Sequence, residues 1–441
     1  MRGGGLRHIM RGTVRAGEVF WASAVIAIFL LSLLLSRSSA QLPNFNPDES
    51  RWISRAHYLA DLADPFGPTW DDQYMTRGQP PFGSYVTGAG LLLHGRDLVT
   101  NPPWDFSLKW EQNLAAGNKP VAADLRAARN TSAILTAVTA VVLVGIASVY
   151  VPLSWSLLAG GIFALHPFSR YIGALATADA VFGLLIALAA LALARFGRTH
   201  AWRWAAAAGI LLGLGGATKL SPLAVAAGLS GLALLLALLP GGVVVEDVAR
   251  GKLASKGLLI AVAAGLTFVM VYPYLWPDPI GRTLNLFAFR AVAMATQASD
   301  WPVMAVPNRL EAMRRTGINF SEHYSLLGAI AASAHLRVPR SLLQVEVLLA
   351  VVGIAVMARD ALRAGWLSSQ SLVLAVLGGQ VLVTILGMRA EFDRYHLPAA
   401  LLGTVALCVA VHAIVAALQQ GISTWRAEPG PSVRESMVVR G

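Results

Sequence analysis

Charge is scarce in this chain and cysteine all but missing. Only 13% of its 441 residues are charged, while 56% are hydrophobic. That balance excludes a disordered or soluble multidomain chain and is typical of a polytopic membrane protein. The single cysteine, Cys408, lies within an apolar run, which excludes a disulfide framework and a cysteine-based metal cluster. Acidic residues are outnumbered too, 24 Asp and Glu against 35 Lys and Arg, for a formal net charge of +11. Much of the basic charge sits in short loops and tails beside apolar runs, where it sets topology; no nucleic-acid partner is expected.

Long apolar runs are what the chain has in abundance. A bilayer-spanning helix needs roughly 17–25 apolar residues, and about ten runs approach that length. They lie near 19–35, 132–150, 153–165, 178–194, 204–217, 223–239, 258–274, 342–357, 367–386 and 397–418. The third and fifth are short enough for one of them to be re-entrant. Arg2, Arg7, Arg11 and Arg15 precede the first run and Ser38-Ser39-Ala40 follows it, so it reads as a cleaved signal peptide or an uncleaved anchor. Its length favours the anchor. The expected fold is therefore an all-α polytopic bundle: one membrane domain over 1–418 and a disordered cytoplasmic tail over 419–441.

With the N-terminus inside, the inner loops and tail carry Arg195, Arg198, Arg203, Arg250, Lys252, Lys256, Arg359, Arg363, Arg426, Arg434 and Arg440. This is a consistent positive-inside pattern. The outer side receives two long segments, 40–125 and 276–340, and turns around 166–179, 218–222 and 388–396. Asp48, Glu49, Asp71, Asp72, Arg77, Arg170, Asp179, Lys219, Arg389, Asp393 and Arg394 all fall there.

After Pro47, the stretch through Leu59 mixes polar and apolar residues at helical spacing, which predicts a short interfacial helix. Trp52, Trp70, Trp104 and Trp110 suit the same layer. Asp48 and Glu49 then stand at a helix N-terminus, where carboxylates favour the dipole by a fraction of a kcal/mol. Asp179 reads as a helix N-cap, Arg129 as a helix-end anchor, and Lys219 and Arg394 as cations snorkelling to the interface. His57, His166 and His396 lack metal-ligand spacing among themselves, and nothing in the sequence demands a cofactor or a divalent metal.

Taken in order, six motifs say more than any one alone. They are "PDE" after the first span, "RGQPPFG" at 77–83, "AARNTSAILTAVTA" at 127–140, "ATADAVFGLLIALAALALARF" at 176–196, "GGATKLSPL" at 215–223 and "RYHLPA" at 394–399. In this order the chain resembles the membrane glycosyltransferases of the C-type fold (GT-C), in particular the protein O-mannosyltransferase and lipid A aminoarabinose transferase group. The resemblance implies an inverting transferase that moves a sugar from a polyprenyl-phosphate carrier to a hydroxyl on a lipid, glycan or protein. It further implies a bacterial inner or plasma membrane protein whose site faces the periplasm or exterior.

On that resemblance Asp48, with Glu49 completing the pair, becomes the candidate base, since an attacking hydroxyl must lose its proton to a group within hydrogen-bond reach. A single base suffices for one inverting displacement, unlike the two carboxylates of hydrolases. The leaving phosphate needs cations. Relatives often carry Lys before the Pro-Pro element, where this chain has Gln79, so Arg77, Arg394 and Lys219 are the candidate donor-phosphate ligands. Asp179, Arg129 and Tyr395 are candidate pocket-lining residues. Glu322 and Tyr324, in the second outer segment, are candidates for sugar or acceptor contact. The competing class is a transporter or flippase for a lipid-linked glycan, which predicts ionisable residues near the middle of several spans.

Overall fold

The structure is a computed structural model that describes residues 4–40, 44–238 and 247–427. Among these residues there are helices and turns but no strand, only an isolated bridge between Ala305 and Ala390. Each apolar run of the sequence becomes a helix: Gly4–Ala40, Ala122–Ala147, Leu153–Leu165, Asp179–Thr199, Trp202–Gly216, Ser221–Leu238, Asp247–Met270, Val345–Ala364, Ser369–Gly387 and Leu397–Ala427. Seven described helices are long and apolar enough to cross a membrane. The last one runs to Ala427, past the boundary at 419 where a disordered tail was expected. The rest of that tail, with Arg434 and Arg440, lies outside the described residues.

Lipid is as apolar as leucine, so helices in a bilayer associate through close packing rather than through exclusion of water. This bundle uses alanine and glycine for that purpose. Ala187, Ala189 and Ala190 of the 179–199 helix and Ala205 and Ala208 of the 202–216 helix are fully buried, and these two helices pack on each other. Gly209 and Gly213 lie against Ile260, Ala263 and Ala264, where a Cβ would come within 2.7 Å of a backbone carbonyl.

Strict alternation of direction brings one terminus of every long helix to the same end. There the chain also adds the interfacial helices Pro47–Ser54, Tyr74–Gly78, Phe82–Leu93 and Trp110–Ala115, and later the helices Pro279–Asp300 and Arg309–Ile318. Short backbone links tie these pieces together. Phe82 N–H donates to Ala217 C=O at 2.8 Å, joining the Pro-Pro element to the Lys219 turn, and Val306 N–H donates to Arg389 C=O at 2.8 Å.

Candidate functional site

The helix Pro47–Ser54 is set by its first four residues. Asn46 caps it, accepting from Asp48 N–H at 2.9 Å, Pro47 occupies the first helical position, and the Glu49 carboxylate reaches back to Asn46 N–H at 2.8 Å. Such a reciprocal box satisfies two orphan donors at once. It also separates the two carboxylates, because successive helical residues project about 100° apart.

Glu49 is turned into the protein. It is 0% exposed, pairs with Arg129 through two bonds of 2.7 Å, and accepts from Ala176 N–H at 2.8 Å. Arg129 in turn donates to the carbonyls of Ala40 and Asn44 at 2.8 Å each. The expectation that Glu49 completes a catalytic pair therefore gives way to a tie between the first span, the interfacial helix and the 122–147 helix. Asp48 points the other way. Arg394 Nη1 donates directly to its Oδ2, and both residues line a cavity of about 710 Å³.

Three cations that sequence reasoning did not single out as ligands share this cavity with Arg394: Arg51, Arg55 and Arg290. Arg51 lies over the Phe106 ring at 4.4 Å and donates to Trp104 C=O at 2.7 Å. Arg55 bonds Gln79 through its side chain at 3.2 Å and its carbonyl, and Arg290 donates to Gly78 C=O at 2.8 Å. Gln79 thus orients an arginine of the cavity wall. Arg51 stands three residues after Asp48, a spacing that puts two side chains on one helix face and that the sequence did offer. Arg290 had no local signal. Against these four cations the lining carries the carboxylates of Asp48 and Asp300.

A second, mainly apolar cavity of about 410 Å³ adjoins the first and shares Gly78, Gln79, Arg290 and Arg394 with it. Asp179, Lys219 and Tyr395 line it. Asp179 is the first helical residue rather than the N-cap, which is Ala178. Its carboxylate pairs with Lys219 and accepts from Thr177 Oγ1 at 2.7 Å. The Lys219 ammonium lies 5.1 Å from the Phe182 ring and 5.9 Å from that of Tyr395, within cation–π range.

Arg77 lines neither cavity. It pairs with Asp72 at 3.1 Å and packs over the Phe289 ring. Tyr324 donates to Asp393 at 2.9 Å, fastening the second outer segment to the turn that carries Arg394. Burial and that carboxylate push its phenol well above the ordinary range. Glu322 accepts from Gln344 at 3.4 Å. His57 pairs with Asp61, His396 with Glu391, and His166 caps the helix Pro167–Ala174. Among the described residues no group of three His, Cys, Asp or Glu gathers to hold a metal.

The molecule is an integral membrane protein of the polytopic helical class, with Asp48, Asp179, Lys219, Arg290 and Arg394 lining cavities at one end of the bundle. The family described as dolichyl-phosphate-mannose-protein mannosyltransferase matches residues 116–276, just over a third of the chain. In fold the chain is similar to the archaeal oligosaccharyltransferase AglB from Archaeoglobus fulgidus, with a TM-score of 0.54 and 12% identity over 94% of this chain and 52% of that one. It is also similar to ArnT from Cupriavidus metallidurans in the apo state, with a TM-score of 0.51 and 15% identity over 94% of this chain and 66% of that one. The chain spans about half the length of the first and just under two thirds of the second. No curated protein matches it in sequence. The fold is that of the GT-C membrane glycosyltransferases.

Proposed function

We propose that this chain is an inverting glycosyltransferase that takes a sugar from a polyprenyl-phosphate donor, with Asp48 as the base and Arg394 and Arg290 as phosphate ligands. The observation that carries the reading is the Asp48–Arg394 pair at the junction of an apolar and a polar cavity. An amphiphilic donor has the same duality: its prenyl chain suits the apolar cavity, its phosphate the shared arginines, and its sugar the polar cavity. AglB has been seen in complex with a dolichol-phosphate, which supports a ligand of this kind.

The chemistry follows from the groups on hand. The incoming phosphate exchanges with the Asp48 carboxylate on Arg394, whose planar fork suits two phosphate oxygens. Asp48 is then free to accept a hydrogen bond from the acceptor hydroxyl. As that oxygen forms its bond to the anomeric carbon, the carbon–oxygen bond to phosphate breaks, its electron pair leaves on the phosphate, and the proton passes to Asp48. The arginines stabilise the charge that develops on the leaving group. Lys219, held by Asp179, adds a further cation on the apolar side.

A transporter would need ionisable groups in mid-span. Among the described residues the helices 221–238 and 369–387 carry no ionisable side chain, 397–423 carries no Asp, Glu, Lys or Arg, with His412 and the buried Cys408 as its ionisable groups, and the other spans carry their charges toward their ends. Arg195, Arg198, Arg203, Lys256, Arg359 and Arg363 lie at the end remote from the cavities, which supports an outward-facing site on the positive-inside rule. The test is donor binding. In nanodiscs, undecaprenyl phosphate should bind the wild type, and Arg394→Ala should weaken it by roughly tenfold or more, the scale of one charge-assisted hydrogen bond. Unchanged affinity in Arg394→Ala would reject the phosphate role.

A further inference from the structure

A third cavity, of about 620 Å³, lies beside Pro47 and shares no lining residue with the two cavities of the transfer site. Asn46 and Pro47 wall it at the start of the Asp48 helix, Arg170 and Tyr171 wall it from the helix Pro167–Ala174, and Arg129 borders it. Its charge is unbalanced. Arg129 is neutralised by Glu49, but among the described residues no hydrogen bond or ion pair engages the Arg170 side chain, and its Nε is shielded from solvent with no acceptor. A shielded guanidinium N–H without an acceptor is costly, and an incoming anion recovers that cost.

Tyr171 links this cavity to the transfer site. Burial pushes its phenol up to about 12, and the charges of Asp393, Arg394, Asp179 and Asp48 all act on it. At neutral pH it therefore remains a neutral donor on the wall of this cavity, its ring 5.5 Å from that of Tyr324, whose hydroxyl donates to Asp393 beside Arg394. Asp48 itself follows directly on the wall residue Pro47, a step of about 3.8 Å between Cα atoms. The carboxylate itself lines the first cavity, so an acceptor anchored here must extend past Pro47 to meet it.

We infer that this third cavity is the acceptor site, and that the acceptor carries a phosphate or carboxylate which Arg170 binds while a hydroxyl of the same molecule reaches Asp48. The inference rests on the transferase reading and adds the substrate class to it. Arg170 is a specificity residue on this account: it holds an anion at a distance from the reacting oxygen, through a fork matched to two acceptor oxygens.

The test compares decyl glucoside 6-phosphate with decyl glucoside, binding to the full chain in nanodiscs of neutral phosphatidylcholine. The phosphorylated probe should bind roughly tenfold more tightly to the wild type. Arg170→Ala should erase the preference, Arg170→Lys should retain part of it, and undecaprenyl phosphate should bind Arg170→Ala as it binds the wild type. Equal affinity for the two probes, or a preference that survives in Arg170→Ala, overturns the inference. Repeating the titration in phosphatidylglycerol discs separates the two sources of phosphate. A preference that persists there supports a site built for the acceptor, and one abolished there assigns Arg170 to lipid headgroups and overturns it. The donor titration of Arg394→Ala is read separately, so loss of the transferase reading leaves a distinct signature.

Discussion

Arg394 and Asp48 stand 346 positions apart in the chain and form a direct ion pair at the boundary of two cavities. The first of these residues follows the ninth long helix and the second follows the first, so the pair exists only when the whole bundle is assembled. The neighbouring carboxylate, Glu49, forms an equally long-range pair with Arg129 but within the protein interior. Two adjacent acids thus serve separate ends, one facing a cavity and one holding helices together.

Glu49→Gln should therefore act on stability. Removing one partner of a buried pair leaves the other uncompensated, at a cost of about 3–5 kcal/mol. A lowered unfolding temperature in detergent checks this, and Glu49→Gln combined with Arg129→Met should recover a large part of the loss. Full stability in the single variant would contradict the assignment.

Arg290→Ala should weaken undecaprenyl phosphate binding roughly tenfold while leaving the unfolding temperature close to that of the wild type. Its side chain lines both cavities and has one backbone acceptor, Gly78 C=O, so little packing depends on it. Arg77→Ala, at a residue that lines neither cavity, is the matched control and should bind donor as the wild type does.

Acid should loosen the outer helix Arg309–Ile318. Arg314 and Arg315 push the Glu311 carboxyl down to about 2, and His396 followed by burial and Arg315 set Glu391, which lies below its usual range. Arg315 bridges the two acids, at 2.7 Å from Glu311 and 3.0 Å from Glu391. A carboxyl depressed on folding contributes fully above its unfolded value, near 4.5, and loses that contribution as pH falls through the folded value. Hydrogen exchange in 309–323, corrected for intrinsic rates, should stay slow from pH 7 to 5 and accelerate from about pH 4.5 toward 2. Protection unchanged across that acid window would remove the network as the clasp.

Much of this was legible in the sequence, for a physical reason. Apolar runs near bilayer length announce helices, and alternation of helix direction places Asp48, Asp179, Lys219 and Arg394 at one end before any packing is known. What the sequence hid was side-chain direction. Asp48 and Glu49 look like one pair until the capping box turns one of them inward. Arg77 stands two residues from the Gln79 position yet packs on Phe289, while Arg290, in a helix with no recognisable motif, faces both cavities. Arg129 reads as a helix-end anchor, and only the fold supplies its partner.

The central claim is that Asp48 takes the proton of the attacking hydroxyl. The direct measurement is release of undecaprenyl phosphate from an undecaprenyl-phosphate-linked sugar by the reconstituted protein, compared between wild type and Asp48→Asn. Loss of a general base costs roughly 10²–10⁴-fold. The expected result is release by the wild type, and a rate lower by at least that range in an Asp48→Asn protein that inserts normally and still binds undecaprenyl phosphate. Release at the wild-type rate by Asp48→Asn would contradict the account.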